Sequence, residues 1–522
     1  MRKIIFSLIT LFSLILVTIY FIKPRETDSE NLSDLKFKIS DKVKPTTDHS
    51  KLEALQKDFN SPQEVTKACE NCHTEASKQV MKSNHWNWER EEYIKGRGIV
   101  SIGKKNAINN FCIGVQGNEK SCAKCHIGYA VTDKMNGYTD SLNIDCLVCH
   151  DNSDTYVKGS EMDGLPDPSI DLGVVARSVG KPTRSNCGVC HFFGGGGNNV
   201  KHGDLEKSMF NPEKETDIHM ASDGANLLCT DCHITKNHKM HGKIYSLSSM
   251  NRDRSSCEQC HTETPHTEEI LNEHTLKVSC QTCHIPIYAK VNSTKTEWDW
   301  STAGKLKDGK PYEEDDELGN HTYLSIKGSF KWGRNLEPDY VWFDGTAGHY
   351  LLGDTVSDVS EPIILNTLNG SYDTRNSKII PVKIHKAIQP YDKINKMLIQ
   401  PKLFADKTGE GAFWKDFDWQ RSSKTGMEEV NLPFSGDISF VETEMYWPVN
   451  HMVSSKDESL QCIQCHTRND SRLKDLKDFY MPARDYNSAV ETGGIGIILI
   501  TITGIAIHSF MRFRSSGRKK QS

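Results

Sequence analysis

Cysteine and histidine recur along this chain in one fixed spacing. Sixteen of the 17 cysteines belong to eight copies of the pattern Cys-x-x-Cys-His, and Cys112 is left over. Chance would supply on the order of a few hundredths of one copy at this cysteine and histidine content. The copies are Cys69-Cys72-His73, Cys122-Cys125-His126, Cys146-Cys149-His150, Cys187-Cys190-His191, Cys229-Cys232-His233, Cys257-Cys260-His261, Cys280-Cys283-His284 and Cys462-Cys465-His466.

This spacing suits covalent attachment of haem. Two thiols three residues apart form thioether bonds to the two vinyl groups of one haem, and the histidine that follows ligates the iron. Zinc ribbons need two cysteine pairs per metal, and neither zinc nor disulfides explain a histidine after every pair. The sequence therefore predicts eight covalent c-type haems, held by these sixteen cysteines, with the eight following histidines as proximal ligands.

Composition agrees with this prediction. Hydrophobic residues make up only 36% of the chain, against about 45–50% in ordinary globular proteins when Gly is counted. Eight large, flat, apolar haems would fill the interior in place of aliphatic side chains. The net charge of −5 argues against nucleic acid as a partner, because binding phosphates requires an excess of Lys and Arg.

The histidines outside the motifs are candidates for the second axial ligand of each iron. Six of them are set aside, because they lie in a polar spacer, an apolar terminal run or a motif-poor segment, or beside another candidate: His49, His508, His321, His349, His385 and His241. Seven predicted distal ligands remain: His85, His202, His219, His238, His266, His274 and His451. Eight irons and seven distal histidines leave one haem that must be built differently.

Two features bear on that haem. Four consecutive glycines, Gly194–Gly197, precede Lys201 and His202 and allow the backbone to pass close to a flat ring. Adjacent side chains of an extended stretch point to opposite sides, so Lys201 and His202 could serve two different haems. A buried neutral amine can bind iron, although the residues alone favour a solvated surface lysine. Cys112 is either buried and inert or kept for chemistry.

The elements that must position these groups are predicted to be short. Seven motifs lie between Cys69 and His284, whereas Ile285–Gln461 has none. The many aromatic residues of Ile285–Gln461 form either the wall of a pocket or an ordinary core. We expect a mainly α fold with extensive irregular loops, organised around eight closely packed haems. The predicted segments are a signal anchor or signal peptide (1–22), a polar spacer (23–60), a seven-haem domain that includes the differently built haem (61–290), a haem-free wrapping segment (291–460), the eighth haem (461–492), a transmembrane helix (493–511) and a basic cytoplasmic tail (512–522).

Both ends of the chain carry uncharged apolar runs. Ile4–Ile22 is 19 residues long, about 28 Å as a helix, and is either an uncleaved signal anchor, which we favour, or a cleaved signal peptide. Gly493–Met511 has the same length and precedes five basic residues, which places that end in the cytoplasm by the positive-inside rule. The body is therefore predicted on the outer, periplasmic face of a bacterial cytoplasmic membrane, where it would receive electrons from a quinol-linked or cytochrome donor.

The sequence resembles the octahaem tetrathionate reductase family of multihaem c-type cytochromes. The resemblance covers about residues 65–485 and extends beyond the haem motifs, to Asn109–Cys122, the glycine run up to Lys201-His202-Gly203-Asp204, Cys280–Pro286, Glu297–Gly304 and Val441–Met452. It implies a mainly helical fold in which the haem on Cys122, Cys125 and His126 is catalytic. It also implies that Lys201 is the distal ligand of that haem, that Cys112 lies nearby, and that the other seven haems are bis-histidine and carry electrons.

The family resemblance implies reduction of a small sulfur or nitrogen oxyanion, with tetrathionate first and nitrite or hydroxylamine as alternatives. Nitrite reductases with a proximal lysine need Cys-x-x-Cys-Lys, which is absent here. Hydroxylamine oxidoreductases carry a haem-crosslinked tyrosine, and nothing marks Tyr480 or Tyr486 as one. A third possibility is a membrane-anchored relay that passes electrons to another protein without reacting itself.

Overall fold

Most helices of this chain are short, and many carry a Cys-x-x-Cys-His motif. The structure is a computed structural model that describes residues 47–110, 114–129, 140–159, 163–242 and 253–518. The predicted N-terminal membrane segment, Cys112 and the end of the basic tail lie outside these ranges. The helices are α1 (Pro62–Glu70), α2 (Ala76–Val80), α3 (Glu119–Cys122), α4 (Leu147–His150), α5 (Leu172–Ser178), α6 (Arg184–His191), α7 (Cys229–Cys232), α8 (Glu269–His274), α9 (Cys280–His284), α10 (Phe413–Asp416), α11 (Trp419–Glu429), α12 (Cys462–Cys465) and α13 (Ser488–Arg518).

The expectation of a mainly α fold is wrong. Within the part of the chain that the structure describes, only 27% is helical and 20% is in strands, and nine strands form one mixed sheet within the segment predicted to be haem-free. The strands are β1 (Glu89–Ile94), β2 (Gly98–Gly103), β3 (Thr235–Lys236), β4 (Lys239–Met240), β5 (Thr294–Asp299), β6 (Glu313–Asp315), β7 (His321–Leu324), β8 (Gly328–Gly333), β9 (Asp339–Phe343), β10 (Ala347–His349), β11 (Ile363–Ile364), β12 (Asn366–Leu368), β13 (Lys378–Asp392), β14 (Met397–Leu398) and β15 (Ile438–Pro448).

The strand β13 organises this sheet. The main strand order is β11-β15-β13-β5-β8-β7-β6, and β9 and β14 also pair with β13. β13 and β15 run antiparallel from Val382↔Pro448 to Asp392↔Ile438, with Lys383 opposite Trp447. Alternating burial along β15 reflects the period of two that a half-buried strand requires. The same alternation along the chain is the pattern from which a strand could have been predicted.

The aromatic residues of the same segment form the largest core cluster. Trp298 stacks on Trp300 with ring centroids 4.7 Å apart, and Trp447 and Phe413 belong to the same buried cluster. Fully buried aromatic rings contribute most of the apolar area of a core. The aromatics thus build a rigid sheet domain against which the haem-attachment region packs.

The last helix, α13, stands apart from this packing. Its segment Ser488–Arg514 contains an 18-residue window with a mean hydropathy of 2.0, and none of that window is buried within the molecule. Within the part of the chain that the structure describes, it is the one helix long and apolar enough to cross a membrane. A hydrogen-bonded ion pair joins Arg468, which follows the eighth motif, to Glu491 in its first turn.

Candidate haem sites and active site

The haem-attachment motifs share one local geometry. In several of them the backbone N–H of the histidine donates to the carbonyl oxygen of the first cysteine, at 2.8 Å for His73, 2.9 Å for His261 and 2.8 Å for His466. This bond closes a helical turn, and residues three apart on such a turn share one face. The two thiols therefore lie on the same side, with the imidazole directly after them.

Seven proximal histidines face a second histidine at nearly constant separation. A metal–imidazole nitrogen bond is about 2 Å long, so two imidazoles on opposite sides of one iron have ring centroids about 6 Å apart. The observed separations leave this space for an iron and a flat ring between each pair. The pairs are His73–His49 (6.2 Å), His150–His238 (6.4 Å), His191–His85 (6.1 Å), His233–His451 (6.2 Å), His261–His219 (6.1 Å), His284–His266 (6.3 Å) and His466–His274 (6.2 Å).

Many of these rings are also oriented for iron through Nε2. Their Nδ1 atoms donate to fixed oxygen acceptors, which sets the tautomer and leaves Nε2 for the metal. The Nδ1 bonds run from His150 to the Gly180 carbonyl (2.8 Å), from His233 to the His241 carbonyl (3.0 Å), from His274 to the Ile270 carbonyl (2.6 Å), from His466 to the Pro482 carbonyl (3.2 Å), from His238 to Gln79 Oε1 (2.9 Å), from His266 to Asn272 Oδ1 (3.2 Å) and from His451 to Asp204 Oδ2 (3.1 Å). The residues present fit bis-histidine haems.

Asp204 shows how the glycine run contributes to one of these pairs. Its buried carboxylate accepts hydrogen bonds from the backbone N–H groups of Asn450 (2.7 Å) and His451 (2.9 Å) and from the His451 ring. Although burial opposes ionisation, the hydrogen bonds from the His451 ring and the Asn450 backbone hold the pKa of Asp204 below its ordinary value. An ionised carboxylate therefore orients the His451 ring.

His49 is a residue that the sequence analysis set aside. It lies on a 3₁₀ turn, His49–Lys51, that Asp48 caps by accepting from the Ser50 backbone N–H at 3.1 Å. The turn folds back onto the helix α5, so the end of the polar spacer reaches His73. The cap motif at Asp48 was a signal in the sequence, but the position of His49 next to His73 depends on tertiary packing.

His202 occupies a different position from the other six predicted distal ligands. Its half-buried ring lies edge-on to Trp447, with centroids 5.1 Å apart, and is not part of a histidine pair among the described residues. Trp447 belongs to β15, so this arrangement depends on the sheet that the sequence analysis did not predict.

His126 is the exception among the proximal histidines. Within the described residues its ring stacks on Trp88, at a centroid separation of 3.9 Å and an interplanar angle of 12°, and Trp86 lies 6.4 Å away. Burial lowers the pKa of His126 well below its ordinary value. The ring is therefore neutral, as a metal ligand must be. Among the described residues, the histidine of the second motif thus packs against a tryptophan, whereas the histidine of each other motif faces a second histidine.

Lys201 is held by the sheet. The buried Nζ of Lys383 donates to the carbonyl oxygens of Val200 (2.9 Å) and Lys201 (3.2 Å), and the Lys201 Nζ lies 4.7 Å from the centroid of the Trp447 indole. Lys201 and His126 line the same cavity. A Cβ atom on Gly194 would lie 3.5 Å from Lys201 Cδ, an ordinary contact distance, so the glycine run passes directly beside this side chain.

Asn110, the last described residue before Cys112, is hydrogen-bonded to the sheet. The side-chain amide of Asn110 donates to the carbonyl oxygen of His385 on β13 at 2.9 Å. On the other side, a Cβ atom on Gly114 would overlap the Gln400 side chain. Asn110 is therefore bonded to a residue that lies two positions from Lys383 along β13.

Attachment sites of different motifs adjoin one another. Electrostatic or hydrogen-bonding contact shifts the pKa values of neighbouring thiols in the pairs Cys69–Cys146, Cys149–Cys187, Cys125–Cys190, Cys187–Cys229, Cys232–Cys260, Cys257–Cys280 and Cys283–Cys465. Four of these pairs are hydrogen-bonded, and in the other three the thiols are close enough for the charge of one to act on the other, so the pairs connect all eight motifs. A cavity of about 4060 Å³ is lined by six of the motifs, namely the second and the fourth to eighth.

Three comparisons with known proteins bear on this site. A family model described as "Cytochrome c bacterial" matches residues 295–469. The crystal structure of octaheme cytochrome c from Shewanella oneidensis matches with a TM-score of 0.77 and 41% sequence identity, over 84% of this chain and 98% of that one. An uncharacterized protein of Archaeoglobus fulgidus is 29% identical over 242 residues, which is 37% of this chain and 80% of its own length.

Proposed function

Because this chain belongs to the multihaem c-type cytochromes, with covalent c-type haems and a redox role, we propose that it is an eight-haem reductase. One haem, on Cys122, Cys125 and His126, reacts with substrate, and the other seven carry electrons. The observation that carries this proposal is the contrast between His126, which faces Trp88, and the seven proximal histidines that each face another histidine.

Each haem is assigned to its motif and to the histidine that faces it. When bound, the haems supply one-electron transfer between adjoining sites. The proposed distal ligands of the seven bis-histidine haems are His49, His238, His85, His451, His219, His266 and His274, in the chain order of their motifs. Contact between their cysteines supports a continuous route for electrons to the second motif through the fourth.

Lys201 is the proposed distal ligand at the second motif. Its main chain is held by Lys383, and its side chain lies against Trp447 at the wall of the cavity that also contains His126. An amine is a ligand only when it is neutral, and burial favours that form. A lysine ligand is easier to displace than a histidine held by a second hydrogen bond, so it leaves a place for substrate.

The proposed substrate is tetrathionate. Two electrons break its central S–S bond and release two thiosulfate ions, with no net uptake of protons. The family resemblance places Cys112 beside this reaction, where its thiolate would attack the S–S bond as in thiol–disulfide exchange and release the first thiosulfate. Two electrons then release the second thiosulfate and restore the thiolate.

The experiment that tests this function uses the purified holoprotein. Viologen-driven turnover is compared for tetrathionate, nitrite and hydroxylamine under the same conditions. We expect tetrathionate to give the highest kcat/KM. Higher turnover of nitrite or hydroxylamine would assign nitrogen chemistry to the same haem, and no turnover together with eight low-spin haems that bind neither cyanide nor sulfite would identify a relay.

We also propose that α13 anchors the protein in the bacterial cytoplasmic membrane with the haem body outside. The apolar span Ser488–Arg514 and the basic residues after Met511 support this orientation. The ion pair between Arg468 and Glu491 ties the eighth motif to the first turn of the helix. The eighth haem would therefore lie near the membrane surface, where a quinol-linked or cytochrome donor delivers electrons.

A further inference from the structure

A second lysine faces the glycine run from the sheet. Lys327 lies in the turn between β7 and β8, and its carbonyl oxygen accepts a hydrogen bond from the Trp298 indole N–H at 2.7 Å. Trp298 is buried in the aromatic core. The turn that carries Lys327 is therefore hydrogen-bonded to the buried aromatic core.

The side chain of Lys327 reaches the same run as Lys201. A Cβ atom on Gly196 would lie 3.1 Å from Lys327 Nζ, and one on Gly194 would lie 3.5 Å from Lys201 Cδ. Only the contact at Gly196 is tighter than an ordinary van der Waals contact, so the missing side chain of Gly196 leaves room for the Lys327 amine. Both lysines line the cavity that contains His126.

Further groups around Lys327 favour an anion. Its Nζ lies 5.6 Å from the centroid of the Trp414 indole, and Trp414 also lines the cavity. The buried Nε1 of Trp414 has no hydrogen-bond partner among the described residues. Lys295 lies close enough to Lys327 and to Lys383 for the charge of each to act on it. Asp204 is the acidic residue whose charge acts on Lys383. The ammonium group of Lys327, beside an indole N–H that has no partner among the described residues, creates a positive potential that attracts anions.

We propose that Lys327 is a specificity-determining residue that binds a sulfonate or other oxyanion group of the substrate beside the second motif. This inference rests on the proposed function, because it concerns the substrate of the same site. Tetrathionate carries a sulfonate group at each end, so one end can bind Lys327 while the central S–S bond lies toward Lys201. A charge-assisted hydrogen bond from Lys327 then favours dianionic substrates over neutral ones.

The test compares Lys327→Gln and Lys327→Arg with wild-type holoprotein. Lys327→Gln should raise the KM for tetrathionate by about tenfold or more, as expected for loss of one charge-assisted hydrogen bond of about 1.4 kcal/mol. The KM for hydroxylamine, which is mostly neutral at pH 7, should stay near the wild-type value. Lys327→Arg should keep most of the tetrathionate affinity, because it retains the positive charge.

A binding measurement without turnover provides an independent readout. Calorimetric titration of the oxidised holoprotein with thiosulfate, a dianion, should show the same loss of affinity in Lys327→Gln. The matched control is Lys331→Gln, because Lys331 lies four residues away on β8 with a side chain that is 72% exposed and ion-paired with Glu297. This control should bind thiosulfate as the wild type does.

The outcomes separate this inference from the proposed function. If Lys327→Gln binds thiosulfate like the wild type, or if the KM values for tetrathionate and hydroxylamine rise equally, the assignment of Lys327 is overturned. If the wild type does not reduce tetrathionate, the proposed substrate fails. Thiosulfate titration and the KM for nitrite, an anion, still decide the role of Lys327 in that case.

Discussion

Lys383 on β13 and Trp447 on β15 are register partners, and between them they hold both the main chain and the side chain of Lys201. Lys383 donates to the Lys201 carbonyl oxygen at 3.2 Å, and the Lys201 Nζ lies 4.7 Å from the centroid of the Trp447 indole. Side chains of register partners in an antiparallel pair lie on the same face of the sheet. One position of the sheet therefore fixes the residue proposed to ligate the reacting haem.

Lys383→Met should disturb this haem selectively. The variant loses three hydrogen bonds, to the carbonyl oxygens of Val200 and Lys201 and to Thr294 Oγ1 at 2.6 Å. Unpaired buried acceptors should lower the free energy of unfolding by about 1–3 kcal/mol. Electron paramagnetic resonance should show an altered signal for one haem. Lys386→Met, on the exposed side of the same strand, is the control, and an unchanged signal in Lys383→Met would contradict a positioning role.

Replacement of Lys201 should change the chemistry of one haem and leave the rest intact. Lys201→His offers a less displaceable ligand, so we expect eight low-spin haems and a kcat for tetrathionate that falls about tenfold or more, a rise of at least about 1.4 kcal/mol in the barrier. Lys201→Ala should instead produce one high-spin haem. Paramagnetic resonance of the oxidised holoproteins measures the spin states of both variants, and turnover of tetrathionate measures kcat. A Lys201→Ala spectrum identical to the wild type would refute ligation by Lys201.

His49 and His202 give a paired test of the ligand assignment. His49 faces His73 at 6.2 Å, whereas His202 lies against Trp447. His49→Ala should therefore convert one bis-histidine haem to a high-spin or water-ligated form, and His202→Ala should leave the seven bis-histidine signals in place. Spin quantitation by paramagnetic resonance measures the difference. The reverse result would return His202 to the distal ligands and remove His49.

Lys295 should make the stability of the protein depend on pH. Its amine lies in a box of Trp298, Phe330 and Trp332, with centroids 4.2, 3.2 and 5.0 Å from Nζ. Burial, and then the charges of Lys327 and Lys383, lower the pKa of Lys295 well below its ordinary value. The unfolded chain then binds more protons than the folded one up to about pH 10, so stability rises with pH across that window.

Lys295→Met should remove this contribution. The free energy of unfolding of the wild type should increase more steeply with pH than that of the variant, by up to about 1.4 kcal/mol per pH unit for one proton. Urea unfolding followed by circular dichroism at pH 7, 8 and 9 gives the slopes. Lys307→Met, at an exposed turn, is the control and should keep the wild-type slope. Equal slopes for Lys295→Met and the wild type would show that Lys295 does not titrate in this way.

The sequence by itself determined the haem-attachment motifs. Two thiols and an imidazole within five consecutive residues are placed by one helical turn, so their chemistry depends on local geometry alone. The apolar C-terminal span was equally readable, because length and hydropathy are local properties. The eight motifs therefore need no knowledge of the fold, which is why a wrong expectation of a mainly α architecture did not affect them.

Only the tertiary structure decided what faces each proximal histidine. His49 and His73 meet because a capped turn packs on α5, and His202 meets Trp447 because β15 brings that indole to the glycine run. Lys383 is 182 residues from Lys201 in the chain. Contacts between residues so far apart depend on strand register and packing, which a single sequence does not encode in any local pattern. The sheet, and with it the surroundings of the reacting haem, therefore came from the fold.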